Sequence, residues 1–452
     1  MKKLLVTVVA ATTIFGLVPG TQTGATAQGN SRPNILIIVT DDQRAIDLDR
    51  FQPETVRWLE DTGVTYPNAF ASTPLCCPSR ASILSGQYAH NNGVRSNGSD
   101  EEPGIEGFDH STTMQAYLQQ AGYRTGIVGK LFNAWPLREQ PPFWNSYSIF
   151  NWGYRDKPWS INGRVARINT YSTRFVGYRA SAFIRGSEAN DRRPWMLYVS
   201  PSAPHRPWDP QRRYEDVSVG RWTGNPAVRE SDLSDKPPWL RGGRCHLACG
   251  RNIRTQQARL MMSVDDLVLK MEKKLQNFSE TNTLVIYVSD NGYLWGEHGR
   301  VAKSQPYTQS SKVPLMMRWP GHTESGATDE RFALNIDIAP TVLEAAGIPL
   351  DETPMDGRSL LADSARNRVH LEHWCTVKGC DRWASTRTHD YQYIERYDAE
   401  GNVLFREYYD NLADPWQLTN LLADGNPSND PDIVALDAQL EPDKSCVGGL
   451  CP

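Results

Sequence analysis

The sequence lacks a large excess of charge of one sign, internal repeats and, beyond its amino terminus, any long hydrophobic run. Its 452 residues contain 48 lysines and arginines and 52 aspartates and glutamates, so the formal net charge is −4. This near balance argues against a nucleic-acid-binding protein, which would carry a basic surface. No stretch approaches the ~20 apolar residues that a membrane-spanning helix needs. We therefore expect a soluble mature chain without a membrane span or a nucleic-acid partner.

The first 27 residues have the order of a targeting segment. Lys2 and Lys3 precede an apolar run from Leu4 to about Val18, and Ala25-Thr26-Ala27 then provides a small-residue cleavage site. This arrangement is typical of a secretory signal peptide. The sequence thus predicts a signal peptide over residues 1–27, cleavage near Ala27 and a secreted, extracellular protein.

The eight cysteines fall in four close pairs. They are Cys76/Cys77, Cys245/Cys249, Cys375/Cys380 and Cys446/Cys451. Because an exported protein enters an oxidising environment, the last three pairs predict small local disulfide loops. A zinc site built from four of these residues is the alternative, although the spacings are not C-x-x-C. The first pair needs a separate explanation.

Strand-like and helix-like patterns alternate along most of the chain. Continuous apolar runs predict strands buried on both faces at 35–40, 195–200 and 283–289. Helical patterns lie at 53–61, 112–120, 256–276 and 336–346. This alternation predicts an α/β domain over 28–363, with a large mixed, mainly parallel sheet flanked by helices. A hairpin pattern at 391–409 predicts a small C-terminal α+β subdomain over 364–452 with an antiparallel sheet.

Polar oxygen-bearing residues follow two of the predicted core strands. Asp41 and Asp42 come after the first strand, and Asp290 and Asn291 follow the strand at 283–289. Open α/β sheets place their sites at the carboxyl ends of strands. Four oxygen donors at such an edge suit a hard cation, calcium or magnesium. Taken alone, either pair is more often a helix N-cap or a turn than a metal site.

The most specific motif lies at residues 75–86. These residues are Leu-Cys-Cys-Pro-Ser-Arg-Ala-Ser-Ile-Leu-Ser-Gly, with C-x-P-S-R running from Cys76 to Arg80. With the two acidic pairs on either side, the stretch resembles the signature of the type I sulfatases of the alkaline-phosphatase-like superfamily. That family usually has Leu-Thr-Gly where this chain has Leu84-Ser85-Gly86. The alternative is that Cys76 and Cys77 form a structural or vicinal thiol pair.

The resemblance covers nearly the whole mature chain and implies the alkaline-phosphatase-like α/β sandwich. The remaining matching segments are 32–43, 129–130, 203–205, 289–292, 296–298, Lys303, 313–315 and 409–421. The likeness is strongest to the glucosamine-6-sulfatases, which share the double cysteine, a Gly-Lys-x-x-Asn like 129–133 and a Ser-Val-Asp-Asp-Leu-Val like 263–268. A C-terminal cysteine pair like Cys446 and Cys451 also matches.

The family implies a nucleophile and a metal. Its first motif cysteine is oxidised to formylglycine by a formylglycine-generating enzyme, which here would change Cys76. The hydrated aldehyde attacks the sulfur of the sulfate ester. The implied Ca²⁺ ligands are Asp41, Asp42, Asp290 and Asn291, together with the formylglycine at position 76.

The family also implies roles for the surrounding side chains. Arg80, one helical turn beyond Cys76, would hold the formylglycine diol or the metal-binding carboxylates. Lys130 and Lys303 would neutralise sulfate charge. His205 is the candidate general acid, and His298 is a second candidate for contact with sulfate or the leaving group.

The sequence departs from the family at the base that removes the second proton of the diol. Many type I sulfatases have a histidine shortly after the Gly-Lys, whereas Lys130 is followed here by Leu131, Phe132 and Asn133. An amide cannot act as that base, so we expect Asn133 to orient the diol or bind substrate. His205 and a metal-bound carboxylate are the two candidates for the base.

The sequence therefore predicts a secreted, calcium-dependent sulfatase that acts on sulfated sugars such as 6-sulfated N-acetylglucosamine. A broad arylsulfatase acting on small aryl sulfates stays open. A phosphoryl-ester hydrolase of the same superfamily is a further alternative, but such enzymes typically use Ser or Thr and two zinc ions. A catalytically silent carbohydrate-binding relative predicts broken motifs, and the motifs here are intact.

Overall fold

The computed structural model describes Met1 and residues 32–98, 104–189, 192–375 and 379–452. The chain divides into two units, Met1–Ser31 and Arg32–Pro452, and the architecture below is that of the second unit. The signal peptide predicted for residues 1–27 lies, apart from Met1, outside the described residues. Among the helices described, none combines the length and the apolar character required to cross a membrane.

Eighteen strands lie in the described residues. They are β1 (Asn34–Thr40), β2 (Val64–Thr65), β3 (Ala69–Phe70), β4 (Arg124–Gly129), β5 (Ser146–Ile149), β6 (Lys157–Ile161), β7 (Arg164–Ile168), β8 (Trp195–Ser200), β9 (Thr283–Ser289), β10 (Leu294–Trp295), β11 (Val301–Ala302), β12 (Leu315–Arg318), β13 (Ala327–Thr328), β14 (Ala333–Leu334), β15 (Val369–His373), β16 (Arg382–Arg387), β17 (Tyr391–Tyr397) and β18 (Val403–Asp410).

Eleven α-helices lie in the same residues. They are α1 (Leu48–Phe51), α2 (Pro53–Thr55), α3 (Cys76–Ser85), α4 (Ala89–Asn92), α5 (Met114–Gln120), α6 (Ser172–Glu188), α7 (Pro226–Arg229), α8 (Leu247–Asn277), α9 (Thr308–Ser311), α10 (Ile338–Ala345) and α11 (Ile433–Asp443). A π-helical turn at Val56–Glu60 continues α2, and 3-10 turns lie at His110–Thr112, Arg212–Tyr214, Pro238–Leu240, Glu297–Gly299, Asn335–Asp337 and Gly448–Leu450.

Ten of the strands form one mixed sheet. Its order is β13-β2-β12-β9-β1-β8-β4-β5-β6-β7. The central strands from β9 to β5 are parallel, and antiparallel strands flank them on both sides. Every residue of β1, β8 and β9 is buried, which agrees with parallel strands covered on both faces. The predicted α/β fold is confirmed.

Helices cover the two faces of this sheet. One face packs against α3, α5 and α10 and their apolar side chains. The other packs against α6 and α8. The sequence patterns missed α6 and the β5–β7 meander, and α8 begins nine residues before its predicted start. The hydrophobic side of each helix therefore supports the centre of the sheet, where the site residues emerge.

A separate sheet lies in the C-terminal part of the chain. Its four antiparallel strands have the order β15-β16-β17-β18, and β17 and β18 form the predicted hairpin. All three predicted local disulfides are present, at Cys245–Cys249, Cys375–Cys380 and Cys446–Cys451. Cys76 and Cys77 are free and buried, so they do not form a vicinal disulfide.

Candidate active site

The two acidic pairs meet because their strands are neighbours. β1 and β9 are parallel, and Thr40 lies opposite Ser289 at their carboxyl ends. The residues that follow must therefore emerge side by side. The Asp42 backbone N–H donates to Asp290 Oδ1 at 3.1 Å, and Asn291 Nδ2 donates to Asp42 Oδ1 at 2.8 Å. The structure brings the four predicted oxygen donors together at one buried edge.

Cys76 faces this edge from the first residue of α3. The helix is buried along its whole length, and Pro78 occupies its first turn, where a missing N–H costs nothing. Cys76 Sγ lies 3.4 Å from Asp41 Oδ1 and 2.7 Å from Lys303 Nζ. The next amide, that of Cys77, donates to Asn97 Oδ1 at 2.9 Å. Residue 76 thus lies at a helix N-terminus beside both an acid and a cation.

Arg80 lies one turn further along α3 and is fully buried. Its Nε donates to Asp290 Oδ2 at 2.8 Å, and its Nη1 donates to the Lys130 carbonyl at 2.9 Å and to Ser200 Oγ at 2.6 Å. The guanidinium therefore joins the ends of β4, β8 and β9. It contacts the carboxylate of Asp290, one of the metal ligands that the family resemblance implies.

Lys130 follows Gly129 at the end of β4, where β4 runs beside β8. Gly129 has a φ of 120°, and a Cβ there would lie 1.9 Å from the Ser200 carbonyl oxygen. Only glycine fits this approach. The close contact directs Lys130 inward, where its Nζ donates to Asp41 Oδ2 at 2.6 Å.

Lys303 and His205 both contact Asp42. Lys303 Nζ donates to Asp42 Oδ1, and His205 Nε2 lies 3.8 Å from Asp42 Oδ2. The His205 side chain is 18% exposed, whereas the Asp42 side chain is 1% exposed. His205 Nδ1 faces the Arg206 carbonyl, which can only accept a hydrogen bond. Nε2 is therefore the nitrogen of His205 available at the site.

Burial and neighbouring charges shift the pKa values of the side chains in this cluster. Burial alone would raise the pKa of Asp41, but four basic groups outweigh it and hold that pKa well below its usual range: Lys130, His205, Arg80 and Lys303. Burial and the Asp41 charge raise the pKa of Asp290. Burial, followed by Asp41, also raises the pKa of the Cys76 thiol. Burial would lower the pKa of both lysines. The charge of Asp42 outweighs burial at Lys303, and that of Asp41 outweighs it at Lys130, so the pKa of each lysine is raised.

The donor set fits a hard cation. Asp41, Asp42, Asp290 and Asn291 are all buried and offer oxygen atoms, the ligands that Ca²⁺ prefers. Asn291 Oδ1 is buried and has no hydrogen-bond partner among the described residues, as expected of an oxygen that binds an ion. Ligand atoms of Asp41, Asp42, Cys76 and His205 lie within 4.8 Å of one another. The sequence did not predict His205 in that group.

The two predicted substrate-binding residues lie in different surroundings. The backbone N–H of Asn133 donates to Cys77 Sγ at 3.1 Å, and the side-chain Oδ1 of Asn133 is buried without a partner in the described residues. His298 is buried, and its Nδ1 lies 2.6 Å from Glu230 Oε2. Within the described chain, no hydrogen bond or ion pair joins His298 to Cys76 or to the acidic pairs. Glu230 was missed because it lies 68 residues before His298, with no local motif.

A cavity of about 450 Å³ adjoins the Cys76 helix. Its wall includes Leu75, Asn97, Arg300, Ser304 and Asp381. Leu75 and Ser304 directly neighbour Cys76 and Lys303 in the chain. Asp381 belongs to the segment before β16, so the C-terminal part of the chain contributes to this wall. Sequence reasoning did not identify these residues, because no motif distinguishes them from surface loops.

Comparisons with known proteins show which family this chain resembles. A family profile described as Sulfatase matches residues 33–348, and one described as N-sulphoglucosamine sulphohydrolase, C-terminal, matches residues 296–442. The Drosophila melanogaster protein named extracellular sulfatase SULF-1 homolog is 33% identical over 362 residues, which cover 76% of this chain. This chain spans only 32% of that relative's length.

Two further comparisons extend over most of the chain. The Homo sapiens protein named N-acetylglucosamine-6-sulfatase is 29% identical over 490 residues, covering 94% of this chain and 87% of the relative. A solved structure, described as a complex with its substrate D-glucosamine-2-N,6-O-disulfate, has a TM-score of 0.74 at 23% identity. It covers 91% of this chain and 97% of its own and shows the shared fold. The chain therefore belongs to the sulfatase family.

Proposed function

We propose that this protein is a secreted sulfatase that hydrolyses sulfate monoesters of sugars with a formylglycine at position 76 and a bound Ca²⁺. The observation that carries the proposal is the cluster around Cys76. Asp41 and Lys303 contact its sulfur, and Lys130 and Arg80 lie directly behind Asp41. A nucleophile position surrounded by buried cations suits attack on an anionic sulfate ester.

Asp41, Asp42, Asp290 and Asn291, with residue 76, would hold the calcium ion. When bound, the ion supplies a Lewis acid that polarises a sulfate oxygen. Formylglycine, when hydrated, supplies a hydroxyl nucleophile and a second hydroxyl whose proton loss releases the sulfate. A serine at this position would lack that release route. The residues around the pocket would bind and orient the sulfate ester and exchange protons with it.

Lys303, which contacts residue 76, and Lys130, which contacts Asp41, neutralise sulfate charge. Arg80 fixes the Asp290 carboxylate and, through the Lys130 carbonyl, the position of Lys130. His205 Nε2 donates a proton to the leaving alcohol oxygen, because it is the partly exposed basic group at the edge of the cluster. His205 or a calcium-binding carboxylate then takes the second hydroxyl's proton.

The substrate is proposed to be a sulfated carbohydrate, with 6-sulfated N-acetylglucosamine as the favoured unit. The cavity beside residue 76 has room for a sugar ring and presents polar groups from Arg300, Ser304 and Asp381. The relatives named extracellular sulfatase and N-acetylglucosamine-6-sulfatase support this choice. We assign residues 28–363 to the catalytic domain and 364–452 to a subdomain that shapes this opening. The amino-terminal signal pattern and the extracellular relative support secretion.

The first test is the mass of the peptide that contains Cys76, taken from secreted protein. Conversion of cysteine to formylglycine replaces sulfur by oxygen and removes two hydrogens, so the mass falls by about 18 Da. Co-expression with a formylglycine-generating enzyme should increase the converted fraction. An unmodified thiol under co-expression would contradict the proposed nucleophile.

The second test compares substrates and variants. Wild type should release sulfate from N-acetylglucosamine 6-sulfate, whereas Cys76→Ala should have no measurable activity. Cys77→Ala is the matched control, because Cys77 is equally buried but contacts the backbone N–H of Asn133 rather than Asp41 or Lys303. Faster turnover of 4-nitrophenyl sulfate would favour the arylsulfatase alternative. Faster turnover of a phosphate ester would favour the phosphoryl-ester hydrolase and contradict the proposal.

A further inference from the structure

A second cavity lies between α6 and α8, on the helical layer rather than at the sheet edge. Its volume is about 810 Å³, larger than the cavity beside residue 76. It extends along α6 from Thr173 to Arg185 and along α8 from Ser263 to Asn277. With a rise of 1.5 Å per residue, the α6 side alone is about 18 Å long. This cavity, called the basic groove below, is therefore elongated.

Positive side chains dominate the groove on a chain whose formal net charge is −4. Six cationic residues line it: Arg174, Arg185, Arg213, Lys270, Lys273 and Lys274. The single acidic residue among the described lining residues is Asp266, which is paired with Arg213. Within the described part of the chain, the other five cations form no ion pair with a carboxylate. Like charges held together without anions repel one another, so an anionic ligand would be bound favourably.

The other lining groups suit a carbohydrate. Tyr178 is 41% exposed, and Lys270 Nζ lies 5.2 Å from its ring centroid. Arg174 Cζ lies 5.4 Å from the same centroid, so this ring holds two of the cations at the groove. Ser181, Gln211 and Asn277 add hydroxyl and amide groups that can bond sugar hydroxyls. The groove therefore combines cations, an aromatic face and neutral polar groups.

One end of the groove connects to the active-site loop. Gln211 and Arg213 line the groove and follow His205 in the same segment after β8. The Gln211 side chain also accepts a hydrogen bond from Ser263 on α8 at 3.3 Å. We infer that the basic groove binds a sulfated polysaccharide chain as a second, non-catalytic site. The length of the groove fits several sugar units rather than one sulfate ion.

The test is direct binding of a heparin octasaccharide to the full-length protein by isothermal titration calorimetry at low salt. The triple variant Lys270→Gln, Lys273→Gln and Lys274→Gln should weaken binding at least about tenfold and reduce its salt dependence, because fewer counterions are released. Its turnover of 4-nitrophenyl sulfate should equal that of wild type, since these lysines lie outside the active site. If the triple variant folds poorly, the exposed single variant Lys273→Gln should weaken binding by a smaller factor.

The matched control removes the same amount of charge elsewhere. Arg138→Gln, Arg164→Gln and Arg221→Gln change three exposed cations outside the groove and should leave binding nearly unchanged. Equal weakening by the control and the groove variant would overturn the inference, because it would indicate general charge attraction. Unchanged binding by the groove variant would also overturn it. So would equal competition by a DNA oligonucleotide of matched charge. These outcomes do not depend on whether residue 76 is modified or turns over substrate.

Discussion

The guanidinium of Arg80 makes three hydrogen bonds to three different elements of the site. Asp290, the Lys130 carbonyl and Ser200 Oγ all accept from it, at 2.6–2.9 Å. A lysine has one ammonium group and cannot reproduce this fixed fork. The identity of residue 80 therefore matters for geometry as well as for charge.

We expect Arg80→Lys to lower kcat for sulfate release by about 10²-fold or more, because Asp290 and Lys130 lose their fixed positions. Circular dichroism should show that the variant folds, since the positive charge is kept. Arg179→Lys is the control, because Arg179 donates one hydrogen bond, to Ser148 Oγ, away from the site. Activity of Arg80→Lys equal to that of Arg179→Lys would show that the three hydrogen bonds of the Arg80 guanidinium are not required.

Asn291 offers the buried oxygen that has no partner among the described residues. Removing that oxygen in Asn291→Ala should raise the Ca²⁺ concentration that gives half-maximal activity about 10- to 100-fold. Chelation should inactivate both proteins, and added Ca²⁺ should restore wild type at the lower concentration. Asn402→Ala, in an exposed turn, serves as the control. An unchanged calcium requirement in Asn291→Ala would remove this residue from the ligand set.

At the scale of elements, α3 must end sharply so that its first residue stays at the sheet edge. Gly86 ends it with a φ of 69° and donates its N–H to the Ser82 carbonyl at 2.8 Å. A Cβ on Gly86 would lie 3.0 Å from Met355 Cγ. Gly93, which ends α4, has a φ of 79° but no described atom within 4 Å of such a Cβ. An alanine at Gly93 would therefore introduce backbone strain alone, whereas an alanine at Gly86 would add crowding against Met355.

Urea unfolding can measure both contributions. Gly93→Ala should cost about 1 kcal/mol, the usual penalty of the left-handed conformation for an L-residue. Gly86→Ala should cost more, at least about 2 kcal/mol, because its methyl group also displaces Met355. Equal losses in the two variants would mean that Met355 moves aside freely.

At the scale of the whole molecule, a buried ion pair connects the helical layer to the C-terminal sheet. His90 Nδ1 on α4 lies 2.8 Å from Glu372 Oε2 on β15. Burial lowers the pKa of His90, but Glu372 raises it more, so the net shift is upward. Burial would raise the pKa of Glu372, but hydrogen bonds from His370 and His90 hold it well below its usual range.

The pair should stabilise the fold most in mildly acidic solution. The His90 contribution is complete below its unfolded pKa of about 6.5 and is lost as pH rises through its raised folded value. The Glu372 contribution is present above its unfolded pKa of about 4.3 and is lost only in strong acid. Glu372→Gln should therefore lose more unfolding free energy at pH 5.5 than at pH 9. Exposed Glu352→Gln is the control, and a pH-independent loss would contradict the assignment.

The centre of the molecule could be predicted from sequence because its signals are local. Continuous apolar runs predict β1, β8 and β9, and the acids that follow them must meet where parallel strands end together. The strands β6 and β7 gave no such signal, because they are partly exposed and rich in lysine, arginine and polar residues. The Glu230 contact with His298 and the wall of the cavity at Asp381 depend on loops brought together by the tertiary fold. Periodicity carries no information about such contacts.

The complete burial of Cys76 limits when its thiol is accessible during folding. Its exposed fraction is 0%, and the wall around it includes Asp41 and Lys303, which are 35 and 227 residues away in sequence. Contacts this distant form late in folding, because a long loop must close first. On the proposed function, an enzyme that converts this thiol to formylglycine would therefore have to act before these contacts form. Folding and the proposed conversion of Cys76 would then compete, and closure of these long loops would set the interval in which the thiol can be reached.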